Sequence, residues 1–261
     1  MLHAVERKKT TYYRRYLGHR DGHEIRVGEE DEITSTVFGP LEFMEAASVF
    51  QFWGEVFRLQ GRSAVFPTER PVRFNFVLWP KKNRVEPDAH LTFFWADNQR
   101  FDILIEIKWR APLSGKDQLH AQWLDYLDKD VRKNCWHVFI APEISAGLAA
   151  RESGKGNVWR IGDDDRLILV SWAQIRDALF KCRTRSDGLA RWAALTSDFL
   201  ERIGIRRFDG FARAHRELPA AEVVYDRFFR GLTHGFTGFG RAATQLPKSE
   251  VIFQSFFKGV T

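Results

Sequence analysis

Residues 101–109, FDILIEIKW, constrain the fold of this chain more than any other segment. Strict alternation has a period of two, and a β-strand turns that period into two distinct faces. Phe101, Ile103, Ile105, Ile107 and Trp109 fall on one face, and Asp102, Leu104, Glu106 and Lys108 on the other. The apolar face must lie against a core. The opposite face carries charges that are costly to bury unless they are paired or hold a cation.

The segment before it, residues 85–95 (VEPDAHLTFFW), reads as the partner strand of a hairpin, with residues 96–100 (ADNQR) as the loop. Here Ala89, Leu91, Phe93 and Trp95 share one face, and Asp88, His90, Thr92 and Phe94 the other. A slip by one residue would set apolar side chains against polar ones, so the parity of the register is strongly specified. That parity places Asp88 and His90 beside Glu106 and Lys108. Two carboxylates offer hard oxygen ligands to Mg²⁺, with Mn²⁺ able to substitute. A metal there would polarise a phosphate and lower the pKa of a bound water. A lysine two residues from a ligating carboxylate can orient or deprotonate that water, or stabilise developing charge. The competing reading is a salt-bridged polar strand face. A histidine in a strand is more often a structural hydrogen bonder than a ligand, which ranks His90 below the other three.

The rest of the chain frames this hairpin with helices and strands. Ile33, Val37, Leu41 and Met44 recur at helical spacing, with Gly39-Pro40 as a break, and a second helix reads through Ala46–Leu59 to Gly61. A strand is expected over residues 72–79. A helix follows over about 117–132, then a buried strand at 136–141, a loop at 150–157, a strand at 166–171 and helices at about 172–182 and 187–203. The class is therefore mixed α/β. The organisation reads as a basic arm over residues 1–27, a core over 28–175 and a mainly helical C-terminal extension over 176–261.

Pro87-Asp88 followed across a hairpin by Glu106-Ile107-Lys108 resembles the PD-(D/E)XK nuclease superfamily, the restriction-endonuclease-like fold. The resemblance covers about residues 28–145. It implies a core of one helix, a three-stranded antiparallel meander, a helix and a strand, and Mg²⁺-dependent cleavage of phosphodiester bonds. Asp88 and Glu106 match the metal ligands and Lys108 the catalytic lysine. Many members add an acidic residue from the first helix. Helical phase favours Glu30, three residues before Ile33 and seven before Val37, with Glu29 second. The alternative is an acidic cluster that simply suits a helix N-terminus. The run EDEITSTVFGPL resembles the first helix of bacterial defence-type members, which implies action on foreign DNA. Several members also place a glutamine after the lysine strand. Gln118 and Gln122 both qualify, Gln122 in a QxxxY pattern with Tyr126, and Gln118 is preferred as nearer the strand end.

A net charge of +6 and a pI near 9.4 suit a polyanionic partner, and the resemblance implies DNA ahead of RNA. Two cysteines without CxxC spacing argue against a zinc ribbon or a disulfide framework. GKGN at 154–157 lacks P-loop spacing. The N-terminus lacks an apolar signal core and no window is apolar enough to span a membrane, so the expected compartment is the cytoplasm. Arginines from Arg183 onward suit DNA backbone, a partner protein or a solvated helical extension, and a homodimer suits double-strand cutting. The rival functional class is a catalytically inactive nucleic-acid-binding or scaffold module with the same fold.

Overall fold

The computed structural model describes residues 9, 29–109, 112–115, 117–153, 156–183 and 188–205. Contacts divide the chain into units Met1–Arg207 and Phe208–Thr261, and all described residues belong to the first. The basic arm apart from Lys9, together with Arg185 and the arginines from residue 206 onward, lies outside them.

The elements run α1 (Glu29–Val37), a 3₁₀ turn (Gly39–Phe43), α2 (Ala46–Leu59), β1 (Arg73–Leu78), β2 (Ala89–Phe94) and β3 (Arg100–Ile107). Then come α3 (Gln118–Ala121) with a π-turn (Gln122–Tyr126), α4 (Lys129–Arg132), β4 (Cys135–Ala141), α5 (Ser145–Glu152), a small ribbon of β5 (Arg160–Ile161) and β6 (Asp164–Asp165), β7 (Leu167–Ser171), α6 (Trp172–Cys182) and α7 (Gly188–Arg202). The main sheet is mixed, in the order β1-β2-β3-β4-β7, with β1, β2 and β3 an antiparallel meander and β4 and β7 added in parallel. The mixed α/β class expected from the sequence is what forms.

Alternation in β3 divides the core into two layers. Ile103, Ile105, Ile107 and Trp109 join Leu91, Phe93, Trp136 and Val138 against α2, α6 and α7. On the other face Leu104, Cys135 and Phe139 pack with Leu119, Trp123, Tyr126 and Trp159. Burial of each such large side chain contributes about 1.5–3 kcal/mol. Covered on both sides, β4 is buried from end to end, which explains an apolar run broken only by His137.

Several boundaries differ from expectation for local reasons. The hairpin loop lies one residue earlier than expected, at 95–99: β2 ends at Phe94, the Trp95 N–H donates to the Gln99 carbonyl at 3.1 Å, and Arg100 joins β3. Asn98 makes the turn with a left-handed φ of 65°, which asparagine tolerates. The pairing shifts by an even number of residues, so the faces are kept. The strand expected from Val85 begins only at Ala89, because Val85 instead closes a tight turn with Lys82 in which Asn83 and Arg84 both take positive φ. The helix expected over 117–132 breaks at Leu127, whose backbone is extended and whose side chain enters the core. The loop expected from residue 150 starts later, because α5 continues to Glu152.

Candidate active site

The site lies where β2 begins and β3 ends. Continuing the pairing of Ala89 with Ile105 by one residue sets Asp88 opposite Glu106. Alternate amides of β3 face β2 and β4: Lys108 N–H donates to the Ile140 carbonyl at 2.7 Å, so the Ile107 amide faces the β2 side. There Asp88 Oδ2 accepts it at 2.6 Å. Asp88 Oδ2 thus stands where a backbone carbonyl of a longer β2 would accept that amide, and the side chain is buried. No described residue donates a hydrogen bond to its Oδ1.

Glu106 and Lys108 share the opposite strand. Lys108 Nζ lies 2.7 Å from Glu106 Oε1 and 2.9 Å from Glu30 Oε1. Glu30 Oε2 accepts the Trp109 N–H at 2.9 Å, so α1 is tied to the end of β3 by both carboxylate oxygens. Two tryptophans hold the frame around this tie. Trp192 of α7 donates to the Val37 carbonyl at 3.0 Å and caps α1, and Trp172 of α6 donates to the Lys108 carbonyl at 2.8 Å. Ser171 starts α6 with a full capping box to Gln174, which fixes where Trp172 enters. From the other layer, Gln118 Nε2 donates to Glu106 Oε1 at 2.6 Å and Gln122 Nε2 to Oε2 at 2.5 Å. The Gln118 carbonyl oxygen accepts the Ser114 N–H at 2.7 Å, which sets its amide to point its NH₂ inward.

Two carboxylates thus pair with one ammonium and Asp88 stands beside them, which shifts Asp88, Glu106 and Lys108. Burial, and then the neighbouring Glu106 charge, push Asp88 well above the ordinary 3.8, against the pull of Lys108. Burial also raises Glu106, with Lys108 and the Gln122 hydrogen bond opposing it. Burial works to lower Lys108, but Glu106, Asp88 and Glu30 together raise it above 10.5.

The structure therefore brings together Asp88, Glu106, Lys108, Glu30 and Gln118. The side chain of Glu29 lies outside the described residues. His90 is not part of the cluster. Its Nε2 lies 3.0 Å from Asp102 Oδ1 and its Nδ1 3.0 Å from Tyr126 Oη. Asp102 also takes Thr92 Oγ1 at 2.7 Å and Arg100 Nε at 2.6 Å. This is a separate network further along the same sheet face, and it accounts for the charge of Asp102. Gln122, ranked second by sequence, grips the carboxylate as firmly as Gln118 does. The signal for it was the one-turn spacing from Gln118. His137 on β4, which the sequence did not single out, lies behind Gln122.

Among the described residues, no group of three or more His, Cys, Asp and Glu side chains has the spacing of a ready-made metal cage. The donor chemistry nevertheless suits a divalent cation. With all groups ionised, Asp88, Glu106 and Glu30 against Lys108 leave surplus negative charge in a site where Asp88 and Glu106 are almost fully buried. Asp88 keeps Oδ1 free of described donors, and Glu106 Oε2 has one amide partner. Hard oxygens with surplus charge are what Mg²⁺ or Mn²⁺ takes, usually keeping several waters. No protein-family profile, no curated protein and no solved structure matches this chain.

Proposed function

We propose that this protein is a metal-dependent nuclease of the PD-(D/E)XK kind, hydrolysing phosphodiester bonds, with DNA the favoured substrate and foreign DNA its target. One observation carries the reading: Asp88 and Glu106 stand side by side on adjacent strands, with Lys108 next to them and paired to Glu30 of α1. The mixed sheet, in which an antiparallel meander continues into a parallel strand, supports a restriction-endonuclease-like core. The positive net charge suits a polyanion.

Asp88 and Glu106 would hold Mg²⁺ or Mn²⁺, and Glu30 stands nearest to them as a third acidic group. The cation would polarise the scissile phosphate and acidify the attacking water. Lys108 presents an ammonium to the same spot, where it would stabilise the charge that gathers on the phosphoryl oxygens. Gln118 and Gln122 hold Glu106 in one orientation with both oxygens engaged. Trp172 fixes the backbone of Lys108, so the ammonium is aimed from a rigid strand end.

The test is incubation of the purified chain with linear, circular and single-stranded DNA and with RNA, under Mg²⁺, Mn²⁺ or chelator. Metal-dependent cleavage is expected from the wild type, with Asp88→Ala, Glu106→Ala and Lys108→Ala inactive but folded. Wild-type rates from all three variants would sink the assignment. A second reading, an inactive binding module, draws on the way Lys108 and both Glu106 oxygens are already partnered within the chain. Calorimetric titration separates the two: Mn²⁺ binding that depends on Asp88 and Glu106 supports the enzyme, and no binding supports the module.

A further inference from the structure

Behind Glu106 runs an unbroken line of hydrogen bonds. Trp159 Nε1 donates to His137 Nδ1 at 3.2 Å, His137 Nε2 lies 3.2 Å from Gln122 Oε1, and Gln122 Nε2 donates to Glu106 Oε2 at 2.5 Å. All four side chains are essentially inaccessible, none more than 1% exposed. An indole N–H can only donate, so His137 Nδ1 must accept and its single proton must sit on Nε2. Burial pushes the His137 pKa down to about 3, which keeps the ring neutral with just one proton to place. That proton requires an acceptor, so the Gln122 oxygen faces His137 and its NH₂ faces Glu106. The Trp123 ring lies parallel to the imidazole, 6.1 Å away at 9°, and holds its plane.

We infer that His137 and Trp159 are positioning residues for Glu106, acting through Gln122. The indole selects the imidazole tautomer, the tautomer selects the orientation of the amide, and the amide sets the rotation of the carboxylate. An amide turned the other way would aim its oxygen at Glu106, acceptor against acceptor, and would leave a buried group unsatisfied. Outer partners of this kind typically govern activity or metal affinity by about 10- to 100-fold. The inference rests on the nuclease reading.

The experiment compares wild type, His137→Leu, His137→Gln, Gln122→Met and the Gln122→Met/His137→Leu double variant in metal-dependent cleavage. His137→Leu should lose about 10- to 100-fold in kcat with little change in KM. His137→Gln places an amide NH₂ near the lost Nε2–H and should recover most of that loss. In the Gln122→Met background, His137→Leu should cost nothing further, because its route to Glu106 has already been cut. Losses that multiply in the double variant, or His137→Leu at the wild-type rate, overturn the inference while leaving the nuclease intact. A wild type that cleaves nothing overturns the nuclease reading and this inference with it. Nitrogen NMR of the wild-type ring is independent of whether any variant folds. A proton on Nε2 is expected, and a proton on Nδ1 overturns the inference. Trp159→Phe should give a mixture of the two tautomers, and an unchanged tautomer removes Trp159 from the chain of control.

Discussion

Asp88→Asn should stabilise the metal-free protein while abolishing cleavage. Asparagine keeps an oxygen for the Ile107 amide, which Asp88 Oδ2 accepts at 2.6 Å. It loses the charge-assisted part of that bond, about 1 kcal/mol. Against this stands the cost of keeping Asp88 ionised in a nearly closed site beside Glu106 and Glu30, with Lys108 already shared by both of them. At pH 7 this cost cannot exceed about 4.4 kcal/mol, since beyond that limit a carboxyl of ordinary pKa 3.8 takes up a proton instead. The net gain is therefore on the order of 1–3 kcal/mol, or about 2–4 °C in Tm per kcal/mol for a domain of this size. The sign with pH follows from the raised folded-state pKa. The protonated form of Asp88 is favoured by folding, so that stability is present below 3.8 and is lost as pH rises through the folded value. The advantage of the variant should be largest at neutral pH and vanish toward acid. The assay is thermal or urea denaturation with chelator at pH 7 and near pH 4. Mg²⁺ at about a thousand times Kd should reverse the order by stabilising only the wild type, by about 4.1 kcal/mol. An Asp88→Asn protein less stable than wild type at pH 7, or a difference that ignores pH, would refute the reasoning.

Other substitutions probe the same architecture. Lys108→Met leaves Glu30 and Glu106 without their cation and should cost about 3–5 kcal/mol at neutral pH, as measured by denaturation, with Mn²⁺ restoring part of the loss. Asp102→Ala should cost about 3 kcal/mol, read from the urea midpoint, because His90, Thr92 and Arg100 all lose their acceptor. Burial acts to raise the pKa of Asp102, but those hydrogen bonds outweigh it and hold the group below 3.8. Its contribution is therefore present above that pH and lost as pH falls through the folded value, so the deficit of the variant should shrink in acid. Gly147→Ala should destabilise by about 1–3 kcal/mol in the same assay, although alanine is the better helix former. The added Cβ would meet Leu169 Cδ2 at 2.5 Å and Phe139 Cδ1 at 2.8 Å, where α5 presses on the sheet.

The face of each strand was legible in the chain because side-chain alternation has an exact period, and the apolar set of β3 leaves one parity. Asp88, Glu106 and Lys108 could therefore be placed on one patch without coordinates. The exact pairing was not legible. It turned on one left-handed residue, Asn98, and on whether Arg100 counted as loop or strand, which propensity does not resolve. Helical phase brought Glu30 forward, but its contact with Lys108 spans 78 residues and depends on two tryptophans, one on α6 and one on α7. Phase likewise put Gln118 and Gln122 on one face and could not rank them, because both reach the same carboxylate from successive turns. His137 carried no signal at all. It sits in an apolar run, and its partners lie 15 and 22 residues away on other elements. Periodicity is a local property of the chain and shows which side chains share a surface. Which surfaces meet, and which proton each buried group must donate or accept, is set by packing between elements remote in sequence.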